Sequence, residues 1–196
     1  MVSLASLWLP IVLAAVLVFV ASSFVHMVFK WHKADYRKLP NEDDVRAVLR
    51  KAAAAPGQYT LPHCLGPKEA QAPEMQQKFV EGPVAVVRLL RNGAPAMGPM
   101  LGQWFALNLL VCLLTAYVAA HALAPGAAPL QVLRITATTG FLAYAVGGLS
   151  EAIWMGKPWA AAAKDLLDAL TYGFAGALPF AFLWPGRADA LKGLFN

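Results

Sequence analysis

The sequence predicts an all-α integral membrane protein with four transmembrane helices and a small cytoplasmic α+β insert between helices 1 and 2. Two observations predict this class. Hydrophobic residues make up 59% of the 196-residue chain and charged residues only 14%, whereas soluble domains average about 45–50% and about 25%. The long apolar runs lie in residues 1–29 and 101–185, and most of the charge lies in residues 30–99.

The four apolar runs have the length of transmembrane helices. A helix needs roughly 20 residues to cross the hydrocarbon core. No lysine or arginine precedes Lys30, and the first run is longer than the apolar core of a signal peptide, so we expect an uncleaved span. The predicted spans are residues 4–29, 101–123, 130–155 and 165–185, and residues 186–196 form a short outer tail.

Residues 30–99 have the patterns of a small α+β unit. Asn41 can cap a helix that begins with three acids, and the periodicity extends this helix to residue 54. The pattern then predicts a strand at 58–61, a loop at 63–72, a helix at 73–81 and a strand at 84–90. Because two strands alone are marginally stable in water, we expect this insert to need support from the membrane, a partner protein or a second copy.

Basic residues near the ends of the spans predict the orientation. Positive charge flanking a span marks its cytoplasmic side. This rule places the insert and the 156–164 turn in the cytoplasm of a cell inner membrane, with both termini outside. It also accounts for the net charge of +5 without nucleic acid. The cytoplasmic side carries Lys30, Lys33, Arg37, Lys38, Arg88, Arg91, Lys157 and Lys164, against Arg134, Arg187 and Lys192 on the other side.

The orientation predicts a polar layer in the cytoplasmic half of the spans. Intramembrane ionisable groups are functional candidates because burying them is costly. Such a layer would bind a metal ion or shuttle protons; the alternative is that its acids pair with Lys157, Lys164, His26 or Asn108 to fix helix register. Lys164 and Asp165 are interpreted as interfacial. The candidate layer is His26, Asn108, Glu151 and Asp168, accompanied by Ser22, Ser23, Ser150 and Tyr172.

The remaining histidines and cysteines give weaker signals. His121 falls at the opposite face from His26, which argues against a haem held by these two residues. His63–Cys64 is a ligand-like pair, but no second pair stands at metal spacing, so whether it binds a metal stays open. Cys64 and Cys112 are interpreted as free thiols. No catalytic motif is found, and no catalytic residue or cofactor is predicted.

Small residues recur every four positions in the last two spans. Gly148, Ala152 and Gly156 form one row, and Ala169, Gly173 and Ala177 form another. Such rows let helices approach closely in lipid. They predict a tight hairpin of spans three and four, or alternatively a dimer contact.

These features leave two hypotheses for function. The leading one is a non-catalytic interaction or accessory subunit that uses the insert to bind a protein partner or to form a homo-oligomer. The alternative is a small ion- or proton-linked transporter that uses the polar layer. An enzyme ranks third, because no catalytic motif is present.

Overall fold

The computed structural model describes residues 1–186 and is mostly helical. The chain divides into two units. One comprises Met1–Tyr36 together with the chain from Ala96 onward, and the other is Arg37–Pro95. Apart from Gly186, the predicted outer tail lies outside the described residues. The elements are α1 (Trp8–Phe24), α2 (Glu42–Lys51), β1 (Gly57–Leu61), α3 (Pro67–Ala70), α4 (Pro73–Glu81), β2 (Ala85–Leu89), α5 (Met97–Ala122), α6 (Pro129–Trp154) and α7 (Trp159–Phe182).

Three helical segments of the described chain are long and apolar enough to cross a membrane. They are Leu4–Phe29, which contains α1, Met97–Ala122 and Pro129–Trp154. Helix α7 is 24 residues long, but its first half carries Lys164, Asp165 and Asp168. By length and composition, the predicted fourth span is therefore not confirmed.

The core of the helical unit lies between α1, α5, α6 and α7. Helix α7 packs along α6 and against α1, and α1 also packs against α5. One end of this bundle is filled by large apolar side chains that include Leu7, Val132 and Phe180, all fully buried. At the same end the buried indole of Trp184 donates a hydrogen bond to the carbonyl of Ala124 at 2.9 Å. This end is therefore closed by apolar packing.

Two helices begin earlier than the sequence predicts. Helix α5 begins at Met97 rather than at residue 101, because Pro99 falls in its first turn, where no backbone N–H is needed for the helix. Helix α7 begins at Trp159 rather than at residue 165. Pro158 precedes it, and the four alanines at 160–163 favour helix strongly.

The predicted contact between the two rows of small residues is wrong on one side. Ala169 and Ala177 on α7 are buried as predicted, and so is Ala152 on α6. A Cβ added at Gly173, however, would lie 2.8 Å from the Ala137 carbonyl oxygen, in the middle of α6, whereas one at Gly148 would meet nothing within 4 Å. Gly156 lies beyond the end of α6, in a turn with φ of 71°. The close approach is therefore centred near Gly140, about three turns earlier in α6 than Ala152, the middle of the predicted row.

The insert has the predicted order of helix, strand, helix and strand. Strands β1 and β2 pair antiparallel, with Gly57 opposite Leu89 and Leu61 opposite Ala85. The short helix α3 occupies part of the region predicted to be a loop, because Pro67 opens a helical turn there. Met75 is the only buried residue in Arg37–Pro95. The insert thus has almost no core of its own.

Candidate functional site: a polar cluster at one end of the helical unit

The chain reverses direction after α1. The regular helix ends at Phe24 and continues as a wider π-helical turn, Val25–Phe29. Lys30 then adopts a left-handed conformation with φ of 54°, which is unusual for a lysine. The 3-10 turn Trp31–Asp35 follows and contacts α7. The reversal brings His32 next to Asp168, although 136 positions separate them in the sequence.

The residues brought together form a hydrogen-bonded group, here called the polar cluster. His32 lies between two carboxylates: Nδ1 is 2.7 Å from Oδ2 of Asp35, and Nε2 is 2.8 Å from Oδ2 of Asp168. The Lys164 ammonium group donates to Oδ1 of Asp35 at 2.5 Å and to the Trp31 carbonyl at 2.8 Å. The polar cluster consists of His26, His32, Asp35, Lys164 and Asp168.

His26 joins the polar cluster from the π-helical turn. Its Nε2 atom is 3.9 Å from Oδ2 of Asp168 and 3.2 Å from the hydroxyl oxygen of Tyr172. The rings of His26 and His32 lie 5.0 Å apart between centroids. Both imidazoles therefore approach the same oxygen of Asp168.

The position of His32 between two carboxylates favours a positive charge at this site. Burial by itself lowers the pKa of His32, but the hydrogen bonds to Asp35 and Asp168 outweigh it, so the pKa is raised above its usual value. The hydrogen bond from Lys164 lowers the pKa of Asp35, which stays ionised. A neutral imidazole carries one N–H and can donate to only one carboxylate at a time. The second contact needs an additional proton, on the ring or on the carboxyl group, or a metal ion between the two atoms.

A cavity of about 420 Å³ adjoins the polar cluster. Its lining includes His26, His32 and Asp35 from the chain reversal, and Glu151, Lys157 and Asp165 from the α6–α7 hairpin. With Lys164 and Asp168, the cavity region holds four carboxylates and two ammonium groups, a formal excess of two negative charges when the imidazoles are neutral. This region attracts cations, although the chain as a whole carries +5.

The structure keeps three of the four residues of the predicted polar layer together and separates Asn108 from them. His26 and Asp168 meet in the polar cluster, and the half-buried Glu151 lines the cavity beside them. Asn108 is fully buried and accepts a hydrogen bond from the Tyr144 hydroxyl at 2.9 Å. Asn108 lies further from the polar cluster along the bundle. The Trp104 indole, one turn earlier in α5, donates a hydrogen bond to Ser22, and Ser22 is itself one turn before His26.

Two members of the polar cluster, His32 and Asp35, are absent from the predicted layer, and two residues interpreted as interfacial, Lys164 and Asp165, form specific contacts. His32 and Asp35 were not predicted, because the left-handed Lys30 gives no sequence signal for a reversal. The i, i+3 spacing of His32 and Asp35 is the one available hint. Lys164 and Asp165 are not merely interfacial: Lys164 holds Asp35, and the Lys157 ammonium group pairs with the Asp165 carboxylate.

The other candidate ligands do not belong to a group of potential metal ligands in the described residues. In the described residues, His26, His32 and Asp168 form a group of three donors within 4.8 Å of one another, and neither His63 nor Cys64 belongs to such a group. His63 contacts the Thr60 hydroxyl at 3.2 Å, within the insert. His121 is exposed, and its Nδ1 atom is 2.8 Å from the carbonyl of Tyr117.

Comparisons with known proteins do not place the chain in a family. No family model matches the sequence, and no curated protein or solved structure is significantly similar to it.

Replacing Lys164 with glutamine is expected to loosen the chain reversal. The substitution removes charge-assisted hydrogen bonds that are worth about 1.5–3 kcal/mol in general. Amide exchange in residues 31–35, measured by hydrogen–deuterium exchange, should become about tenfold faster or more. Lys33→Gln is the matched control, because Lys33 is exposed on the same turn. Equal exchange rates in the two variants would show that Lys164 does not hold this segment.

Proposed function

We propose that this chain is a small multi-pass membrane protein that takes up a cation at the polar cluster and works as an ion-linked transporter. The observation that carries the proposal is His32, held within 2.8 Å of both Asp35 and Asp168 beside a cavity of about 420 Å³. Two carboxylates that share one imidazole form a ready site for a positive charge.

The surface of α7 supports a fourth membrane span. Beyond Asp168, its exposed side chains are apolar, as in Leu170 and Phe174, except Thr171, whose hydroxyl donates to the Leu167 carbonyl at 3.0 Å. Its charged residues are confined to the first ten positions, and Asp168 is 5% exposed. In the proposal, α7 crosses the inner membrane with the other three spans. The insert and the α6–α7 turn then face the cytoplasm, as the flanking basic residues indicate.

Buried polar groups continue from the polar cluster into the helical unit. Tyr172 contacts His26, its ring packs 5.6 Å from that of Tyr144, and Tyr144 donates to Asn108. Beyond them, buried Thr115 and Thr136 border a small void of about 10 Å³. The apolar packing around Phe180 then closes the far end. This arrangement fits a transporter whose site is open on one side and closed on the other.

Flux measurements on proteoliposomes test the proposal. Purified full-length protein is reconstituted, and uptake of protons, sodium, and manganese, cobalt and zinc ions is followed with trapped fluorescent indicators. We expect saturable uptake of at least one of these cations, above protein-free vesicles and above vesicles containing the His32→Gln variant. Uptake equal to that of empty vesicles for every cation would contradict the transporter proposal.

The insert favours a second candidate, the accessory subunit. Its helices expose apolar side chains, with Val48 of α2 at 68% and Val80 of α4 at 87% exposure, while Met75 alone is buried. A unit with so little core gains stability from a partner surface. In this reading the insert self-associates. Val48→Lys with Val80→Lys should then convert a detergent-solubilised oligomer to a monomer, and a wild-type monomer would argue against self-association.

A further inference from the structure

Three donor atoms of the polar cluster have the spacing of metal ligands. One donor each from His26, His32 and Asp168 lies within 4.8 Å of the other two. Oδ2 of Asp168 is 2.8 Å from Nε2 of His32 and 3.9 Å from Nε2 of His26. Ligands on a tetrahedral zinc ion, with bonds of about 2.0–2.1 Å, are separated by roughly 3.3 Å. The two distances bracket this value, so small side-chain adjustments admit an ion.

The other oxygen of Asp168 is an independent indication of a ligand. The Asp168 side chain is 7% exposed. Its Oδ1 atom is buried and has no hydrogen-bond partner among the described residues. Buried carboxylate oxygens are nearly always paired, since leaving one without a partner costs the desolvation energy. A metal ion bound by both oxygens of this carboxylate would neutralise it and supply the interaction that Oδ1 lacks.

Asp35 supplies the outer support that metal-bound histidines usually have. Its Oδ2 atom is 2.7 Å from Nδ1 of His32, and its Oδ1 atom is held by Lys164. A carboxylate on the far nitrogen of a ligating imidazole fixes the ring and makes it a better donor. It leaves Nε2 directed at Asp168 as the atom available to a metal.

The donor set selects the class of ion. Two imidazole nitrogens and one carboxylate suit zinc and neighbouring divalent transition metals, whereas magnesium and calcium prefer oxygen ligands alone. The cavity leaves a fourth position open beside His26 and His32. Structural zinc sites are usually closed by a fourth protein ligand, so an open position favours an ion that exchanges.

We infer that the polar cluster is a binding site for a divalent transition metal of the zinc class, with His26, His32 and Asp168 as ligands and Asp35 as the positioning residue behind His32. This inference rests on the proposed function, because it names the cation that the same site takes up. The metal enters from the cavity and displaces the hydrogen bond between His32 and Asp168.

Metal titration of the full-length protein in detergent tests the inference. The protein is stripped with a chelator, and binding of cobalt and zinc is measured by cobalt absorption and by competition with a chromophoric chelator. Wild type should bind one metal ion per chain, with the visible absorption bands of cobalt bound by nitrogen and oxygen ligands. His26→Gln, His32→Gln and Asp168→Asn should each weaken binding by about 10- to 100-fold or more.

His121→Gln is the matched control, because it removes an exposed imidazole outside the cluster. It should bind metal as wild type does. His26 is 53% exposed, so its replacement tests the site with little risk to folding.

Wild type that binds no metal, or a folded His26→Gln protein that binds as tightly as wild type, would overturn the inference. Proton or sodium uptake without metal binding would reject the metal site and leave the transporter proposal intact. Metal binding without any flux would support the metal site and reject the transporter proposal.

Discussion

Asp168→Asn is expected to weaken cation uptake strongly while leaving a folded protein. The amide matches the carboxylate in size but removes the charge that faces His26 and His32. Hydrogen bonds to charged groups are worth about 1.5–3 kcal/mol, which corresponds to a loss of roughly 10- to 100-fold in cation affinity. Uptake into proteoliposomes, measured over a range of cation concentrations, should show this loss as a raised half-saturation concentration.

The control for this variant is Asp44→Asn, which makes the same change at an exposed position in α2. It should take up cations at the wild-type rate. If Asp168 only fixes helix register, Asp168→Asn will instead reduce the yield of folded protein, and the folded fraction will transport normally. That outcome would show that Asp168 has the structural role that the sequence left open as an alternative.

Gly173→Ala is expected to destabilise the helical unit. A Cβ at this position would lie 2.8 Å from backbone atoms of both Ala137 and Phe141, which cannot move independently of α6. Overpacking of this kind costs about 1–3 kcal/mol. The unfolding midpoint in detergent, followed by circular dichroism or by dye binding, should therefore fall by several degrees relative to wild type.

Gly148→Ala provides the contrast, because a Cβ there meets nothing within 4 Å. Alanine also favours helix over glycine by about 0.8–1.0 kcal/mol, so this variant should be as stable as wild type or slightly more so. A destabilised Gly148→Ala protein would show that Gly148 lies in the helix contact, as the residue spacing predicts, and an unaffected Gly173→Ala protein would contradict the close approach that the structure shows.

The positions of the spans and of the close helix contact were predictable from the sequence to different extents. Long apolar runs determine helices directly, so three candidate spans are found at the predicted places to within a few residues. A row of small residues identifies a face that packs closely, and on α7 that face was correct. Spacing alone carries no information about which part of the neighbouring helix it meets, because many registers satisfy the same interval. Of the predicted row on α6 only Ala152 is buried, and the close approach to Gly173 is at Gly140.

The sequence predicted only those residues of the candidate site whose position follows from their depth in a transmembrane helix. His26 and Asp168 fall at one level once the spans are oriented, and the structure brings them within 3.9 Å. His32 and Asp35 enter through a reversal at the left-handed Lys30. Because lysine rarely adopts that conformation, the sequence predicted a chain leaving the membrane and not one folding back onto α7.

The central claim is that the polar cluster binds a cation between His32 and Asp168. Determining the structure of the full-length protein with bound zinc, with anomalous scattering to identify the metal, tests this claim most directly. We predict a zinc peak about 2.0–2.2 Å from a ring nitrogen of His32 and from a carboxylate oxygen of Asp168, with His26 as the third ligand. A peak at His63 and Cys64 instead, or no peak beside Asp168, would contradict it.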